Sequence, residues 1–254
     1  MLTLIGLGLS DEYDLTLRGI DAAKKSDKVY CELYTGKWGG SIENLQKIVG
    51  QQIFLLKRPD LEEESARILN EAREKSVVIF IQGDPMVATT HTSLLVEARK
   101  LGIETRVIHN SSIFSAVAAT GLHVYKFGAT VTIPFLEKTG GRIPKSVYDV
   151  IAENKKRGLH TLCLLDISAD ARVFMNPTQA VDLILAMERN FGEGVIEPYQ
   201  RIVVLCKAGH SPEIFYDEID AFQTGMVSAT PAAVVIPGKM HFTEEEFLKK
   251  FRVQ

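Results

Sequence analysis

Residues 77–81 read Val-Val-Ile-Phe-Ile, an unbroken apolar run that stops at Gln82-Gly83-Asp84-Pro85. A strand with one face in water alternates apolar and polar residues, whereas a strand with no polar position has to be covered on both faces. Double coverage belongs to parallel sheets flanked by helices, so this run restricts the chain to layered α/β architectures. Residues 2–7 are continuous in the same way, and residues 28–33, 53–56 and 105–108 also read as strands. Helical patterns fall between these runs. Leu15, Leu17, Ile20 and Ala23 share one face. Ser41 is placed to cap a helix carrying Ile42, Leu45 and Ile48, which stops at Gly50. Asp60 precedes an acidic turn, Glu62 to Glu64, with Leu61, Ile68, Leu69 and Ala72 on the buried stripe. A further helix around Leu94, Leu95 and Ala98 runs to Lys100, with Gly102 past its end.

The alternation β-α-β-α-β-α-β-α-β ends near residue 109, and the texture then changes. A polar turn, Asn110-Ser111-Ser112, leads into a small-residue helix over residues 113–119. Strands are expected at 129–134, 161–165, 202–206 and 232–236, and helices near 147–154 and 181–188. Thr243 with Glu246 reads as a capping box opening a last helix. The chain is therefore expected to form two α/β domains, residues 1–110 and 111–254.

With 254 residues, a net charge of −3 and acids interspersed among the bases, there is no electrostatic footprint for nucleic acid or an anionic membrane. No run approaches the ~18 apolar residues of a membrane span, and no basic segment leads into an apolar stretch at the N-terminus. Cys31, Cys163 and Cys206 are sparse and sit in apolar runs, as small buried hydrophobes in a reducing compartment do. A cytoplasmic protein is the expectation.

Gly83-Asp84-Pro85 lies where a strand's carboxyl end opens toward a ligand crevice, and it is also ordinary turn chemistry; the residues alone leave both readings open. Gly6-Leu7-Gly8 after the first strand invites a dinucleotide reading. Asp11, however, stands where the third glycine of that fingerprint belongs and where a pyrophosphate would lie. His91, His109, His123, His160, His210 and His241 form no pair at metal-ligand spacing, so no metal is expected. Gly-x-Ser-x-Gly and Gly-x-x-x-x-Gly-Lys are both absent from the sequence. The acids Glu62–64 and Glu244–246 read as helix-dipole partners.

Several segments taken together resemble one family. Leu4-Ile5-Gly6-Leu7-Gly8-Leu9, Asp14-Leu15-Thr16-Leu17-Arg18-Gly19, Ser26-Asp27-Lys28-Val29-Tyr30, Gly83-Asp84-Pro85 and Val235-Ile236-Pro237-Gly238-Lys239-Met240-His241 are similar to the tetrapyrrole methylase class of S-adenosylmethionine-dependent methyltransferases. Four longer stretches are more specific. They are Asp84-Pro85-Met86-Val87-Ala88-Thr89-Thr90-His91, the segment from Thr120 to Gly128 with His123-Val124-Tyr125, Tyr148-Asp149-Val150-Ile151 with Glu153-Asn154, and the segment from Gly158 to Ile167. These resemble the diphthine synthases of archaea and eukaryotes.

The resemblance implies two α/β domains with the cofactor in a cleft between them, and a homodimer. It implies S-adenosylmethionine as methyl donor, leaving as S-adenosylhomocysteine, and the modified histidine of translation elongation factor 2 as acceptor. Carried over position by position, the donor contacts are Leu9, Asp84, Val87, Ser112, Ile113, Leu165, Ala208 and Ala232. Ala232 stands where the family often has a larger polar residue, so only its main chain is expected to contribute. No catalytic residue is assigned; His91, Tyr125 and Asp166 are candidates to assist. The alternatives are a corrin or porphyrin precursor as acceptor, a nicotinamide-dependent oxidoreductase resting on Gly6 and Gly8, and a non-catalytic module of the translation apparatus.

Overall fold

In the computed structural model, residues 1–168, 173–197 and 199–252 are described. The chain divides into two compact units, Met1–Ala116 and Val117–Gln254.

The first unit runs β1 (Leu2–Gly6), α1 (Leu17–Lys24), β2 (Lys28–Glu32), α2 (Ile42–Val49), β3 (Ile53–Leu56), α3 (Arg58–Glu62), α4 (Ala66–Glu74), β4 (Val77–Ile81), α5 (Thr92–Lys100), β5 (Thr105–Ile108) and α6 (Ile113–Ala116). Its strands form one sheet in the order β3-β2-β4-β1-β5, and all pairings are parallel. The apolar run of β4 explains why. Val77, Ile79 and Ile81 pack on one side with Leu61, Ile68, Leu69 and Leu94, while Val78 and Phe80 pack on the other with Ala23, Leu45 and Val49. Burying each such side chain is worth about 1.5–3 kcal/mol, so neither face of the strand can be left to water. The Ser41 hydroxyl accepts the Asn44 N–H at 3.3 Å, and Gly50 ends α2 in the left-handed region at φ 67°.

One expected helix is two. The stripe from Leu61 to Ala72 is shared by α3 and α4, and Glu62 closes α3 rather than opening a helix. Pro59 in the first turn and a box closed by the Asp60 carboxylate on the Lys57 N–H fix the start of α3. The expected helix over 113–119 is likewise α6 followed by a 3-10 turn, Val117–Thr120.

The second unit contains β6 (Val131–Ile133), α7 (Lys145–Lys156), β7 (Thr161–Leu165), β8 (Ile167–Ser168), β9 (Val173–Phe174), α8 (Pro177–Phe191), β10 (Arg201–Cys206), β11 (Glu213–Glu218), β12 (Ala232–Ile236) and α9 (Phe242–Leu248). The sheet order is β11-β10-β12-β7-β6; β6 and β7 are parallel and the other pairs antiparallel. Strand β11 has no apolar run to announce it. Glu-Ile-Phe-Tyr-Asp-Glu is an edge strand, and its half-buried pattern carries little of the period that marks a core strand. Asn176 and Gln179 form a reciprocal capping box at the start of α8, which Gly192 ends at φ 64°.

The last helix corrects a third expectation. His241, not Thr243, caps α9, and the third helical residue is Glu244, not Glu246. Glu244 is fully buried. Its carboxylate accepts the main-chain N–H groups of His123 and His241 at 2.7 and 2.6 Å, the Lys126 ammonium, and His160 Nε2–H at 3.1 Å. Burial by itself would raise its pKa. The donors from His241, Lys126, His123 and His160 outweigh burial and bring it down to about 2.

Candidate functional site

Strands β4, β1 and β5 are neighbours in the first sheet, so the loops leaving their carboxyl ends emerge side by side. Residue 6 is where these loops converge. A Cβ there would lie 2.5 Å from the Gly83 carbonyl oxygen, 2.6 Å from Asn110 Cβ and 3.2 Å from Pro85 Cδ, so only glycine fits. Asn110 Nδ2 donates to the carbonyls of Gly6 and Asp14 at 2.9 and 3.0 Å, which ties the third loop to the first.

Carboxylates set the shape of these loops. Asp14 Oδ2 accepts the N–H groups of Leu9 and Ser10 at 2.9 and 2.7 Å. Asp84, only 5% exposed, accepts Met86 N–H on Oδ1 at 2.9 Å. Its Oδ2 takes Asn110 N–H at 3.0 Å and His109 Nδ1 at 2.9 Å. A carboxylate so occupied holds a loop rather than moving a proton. Five of the sequence-predicted residues thus lie on tied loops at one edge of the first sheet. Leu9 follows β1 and Asp84 follows β4; Val87 donates to the Asp84 carbonyl at 3.2 Å, and Ser112 and Ile113 open α6.

Beside Val87, Ala88 has φ 53°, a left-handed conformation that costs a non-glycine residue about 1–2 kcal/mol. Strain of this kind gathers where a loop's shape is dictated by function. His91 follows, 97% out of solvent by its 3% exposure, with neither ring nitrogen hydrogen-bonded. Burial disfavours its charged form and lowers its pKa.

At the end of β2, next to β4, stands Glu32, which is fully buried. Thr35 Oγ1–H and the N–H groups of Tyr34 and Thr35 reach its carboxylate, yet burial prevails and pushes its pKa up to about 7. Its one sequence signal is an acid that closes a mostly apolar strand run, Val29-Tyr30-Cys31-Glu32.

In the second unit the remaining predicted residues also gather on one sheet edge. Leu165 ends β7. Ala232 opens β12 and pairs with Cys206, the last residue of β10, and Ala233 pairs with Leu164, which sets Ala232 and Leu165 one step further along the same pair of strands. Ala208 follows Lys207, which has φ 50° and donates its N–H to the Pro231 carbonyl at 2.8 Å. Among the described residues, Ala88 and Lys207 are the two non-glycine positions with positive φ, and each adjoins a predicted contact. Asp166, next to Leu165, accepts from Phe135 N–H, Ile167 N–H and Lys138 Nζ at 2.7–2.9 Å, so it too is a loop organiser. Tyr125 is 83% exposed, and its hydroxyl meets His123 Nδ1 at 3.0 Å in the Glu244 network.

Burial raises the thiols of Cys31, Cys163 and Cys206, the last two to about 12, so all three are inert small hydrophobes. Among the described residues no helix is long and apolar enough to cross a membrane.

The sequence model of the family Tetrapyrrole (Corrin/Porphyrin) Methylases matches residues 1–216. The diphthine synthase of Methanococcus maripaludis strain S2 is 43% identical over 251 residues, which are 98% of each chain. The chain belongs to the diphthine synthase family. The diphthine synthase of Methanocaldococcus jannaschii is 42% identical over 253 residues, again 98% of each chain. A crystal structure of diphthine synthase superposes with a TM-score of 0.88 at 34% identity, covering 99% of this chain and 95% of that one. The family makes the chain a methyltransferase of the tetrapyrrole methylase class, with a donor of the S-adenosylmethionine type. The class-level motif Gly83-Asp84-Pro85 and the segments from Thr120 to Gly128 and Gly158 to Ile167 all lie inside the matched span.

Proposed function

We propose that this chain transfers methyl groups from S-adenosylmethionine to the amino group of the modified histidine of translation elongation factor 2, giving diphthine. The observation that carries the reading is the identity of 42–43% to diphthine synthases across 98% of both chains. A corrin or porphyrin acceptor rests on the class motif alone and is not favoured.

The residues suit such a donor. Its sulfonium is cationic and it has no pyrophosphate, and the loop after Gly6-x-Gly8 holds carboxylates, Asp11 and Asp14, where a pyrophosphate would be repelled. When bound, the donor supplies a methyl group already activated for displacement. The protein's part is alignment. Leu9, Val87, Ser112 and Ile113 offer main-chain groups and apolar surface from the first unit, and Leu165, Ala208 and Ala232 from the second. Asp84 serves by holding the loop that carries Met86 and Val87 to the one that carries Asn110 and Ser112. The enzyme works as a cytoplasmic homodimer.

The test is methyl transfer to elongation factor 2 that carries the unmethylated form of the modified histidine, with labelled donor and the methyl groups counted by mass. Label on that histidine, together with thermal stabilisation of the enzyme by S-adenosylhomocysteine, is the expected result. No transfer and no stabilisation would overturn the assignment.

A further inference from the structure

Methylating an amine to the trimethylammonium stage requires a proton to leave the nitrogen before each of three attacks. The carboxylates around the predicted donor contacts do not serve this need, because Asp14, Asp84 and Asp166 are each spent on main-chain amides. Most of the imidazoles are also committed. His160 uses both nitrogens, accepting from Gly238 N–H on Nδ1 at 2.9 Å and donating from Nε2 to Glu244. His123 and His241 each place Nδ1 on a hydroxyl, of Tyr125 and Thr243, and among the described residues neither ring is hydrogen-bonded to a carboxylate that would hold it. His91 is sealed from water.

His109 differs from all of these. It follows β5, two residues after Val107 and three before Ser112, on the loop that Asn110 ties to Gly6. Its Nδ1 lies 2.9 Å from the Asp84 carboxylate, which is 5% exposed, while its own side chain is 68% exposed. The same Asp84 Oδ2 takes the N–H of Asn110. An exposed side chain is normally free to turn; here a buried acceptor fixed by the next residue's backbone holds the ring. Since the partner is a carboxylate, Nδ1 carries the hydrogen and Nε2 carries the lone pair. Among the described residues Nε2 has no hydrogen-bond partner. A buried carboxylate that orients an imidazole and leaves the far nitrogen open is the arrangement of a general base.

We infer that His109 Nε2 takes the proton from the acceptor ammonium, with Asp84 as the residue that positions it; this rests on the amine-methylating reading above. In each round the Nε2 lone pair accepts one proton from the acceptor ammonium, R–NH₃⁺ in the first and its mono- and dimethylated forms in the next two, leaving the neutral amine and an imidazolium whose Nδ1–H still faces the Asp84 carboxylate. The amine lone pair then forms the N–C bond to the sulfonium methyl as the C–S bond breaks, its electron pair staying on sulfur as a neutral thioether. The new nitrogen is again cationic and carries a proton until the last methyl is added. Exposure of the ring returns the imidazolium proton to water between rounds, a reset that a sealed base such as His91 lacks.

The experiment uses the full chain as His109→Ala and His109→Gln, with methyl transfer to the modified elongation factor, calorimetric titration with S-adenosylhomocysteine, and addition of free imidazole. The inference expects transfer to fall about a hundredfold or more in both variants, the size of a general-base contribution. S-adenosylhomocysteine should bind as it does to the parent protein. Imidazole should restore transfer in His109→Ala in proportion to its neutral form, and not in His109→Gln, whose side chain fills the space. Parental rates in both variants would overturn the role. So would lost S-adenosylhomocysteine binding without imidazole rescue, which is the mark of a structural residue. A parent protein that itself transfers no methyl to the modified factor overturns the underlying reading, and is told apart because variant and parent then behave alike.

Discussion

Gly8 and Gly83 exchange main-chain hydrogen bonds, Gly83 N–H to the Gly8 carbonyl at 2.8 Å and Gly8 N–H to the Gly83 carbonyl at 3.2 Å. The loops after β1 and β4 are thereby clasped as a two-residue antiparallel bridge beyond the end of a parallel sheet. Both glycines are left-handed, at φ 79° and 68°, but their surroundings differ. A Cβ at Gly8 would lie 2.4 Å from Asp14 Cβ, while one at Gly83 would have its nearest neighbour, the Ser111 carbonyl, at 3.9 Å.

Two alanine substitutions separate strain from displacement. Gly83→Ala meets only the left-handed backbone and should lower unfolding free energy by about 1–2 kcal/mol with affinity for S-adenosylhomocysteine little changed. Gly8→Ala also drives against Asp14 and frees the Leu9 and Ser10 amides, so it should cost more stability and at least tenfold in affinity. Urea denaturation and calorimetric titration read the two effects; equal affinity losses in both would show that the clasp, not the Asp14 carboxylate, shapes the loop.

The Glu244 network sets an acid limit. Its pKa falls from 4.5 unfolded to about 2 folded, so it stabilises above pH 4.5, and this contribution is lost as pH drops from 4.5 toward 2. The shift corresponds to about 3 kcal/mol. His160, lowered chiefly by burial despite Glu244, adds a loss that begins higher, as pH falls through the ordinary imidazole range. Glu244→Gln leaves the Lys126 ammonium and the His160 Nε2–H without a carboxylate. The stability gap between parent and variant should therefore be large at pH 7, narrow below pH 4.5 and close only near pH 2. A gap independent of pH would place the stabilising charge elsewhere.

Glu32 titrates with the opposite sign. Its pKa rises from 4.5 unfolded to about 7 folded, so its contribution is greatest below pH 4.5 and disappears as pH climbs to 7. Glu32→Gln removes this titration. Parent stability minus variant stability should decline between pH 4.5 and 7 and level off above it, measured as denaturant midpoints across that range.

Val87 tests the placement of the donor contacts. It is half-buried in the turn after Asp84, beside the left-handed Ala88. Val87→Trp should weaken S-adenosylhomocysteine binding at least tenfold, about 1.4 kcal/mol, while the melting temperature of the free protein barely moves. An unchanged dissociation constant would remove Val87 from the site.

The first half of the chain could be read residue by residue because its central strands β1, β2 and β4 are buried on both faces. A continuous apolar run such as Val77–Ile81 has no other use, and Ser41 and Gly50 punctuate their helix through local chemistry that needs no tertiary partner. The glycines, the Gly83-Asp84-Pro85 turn and the family resemblance were likewise legible, since each is written in neighbouring residues. What the sequence concealed depends on residues far apart in the chain. Edge strand β11 is stabilised by pairing with β10 and not by its own pattern. Glu244 reads as a helix-dipole acid until folding brings His123, Lys126 and His160 to it over separations of 84 to 121 residues. His109 reads as one of six scattered histidines until the sheet sets β4 and β5 on either side of β1 and delivers its ring to Asp84, 25 residues earlier. Local propensity and hydrophobic period are properties of short segments and survive in the sequence. Whether a carboxylate is a solvated surface charge or a buried organiser is decided by desolvation and by donors from distant segments, and these exist only in the folded chain.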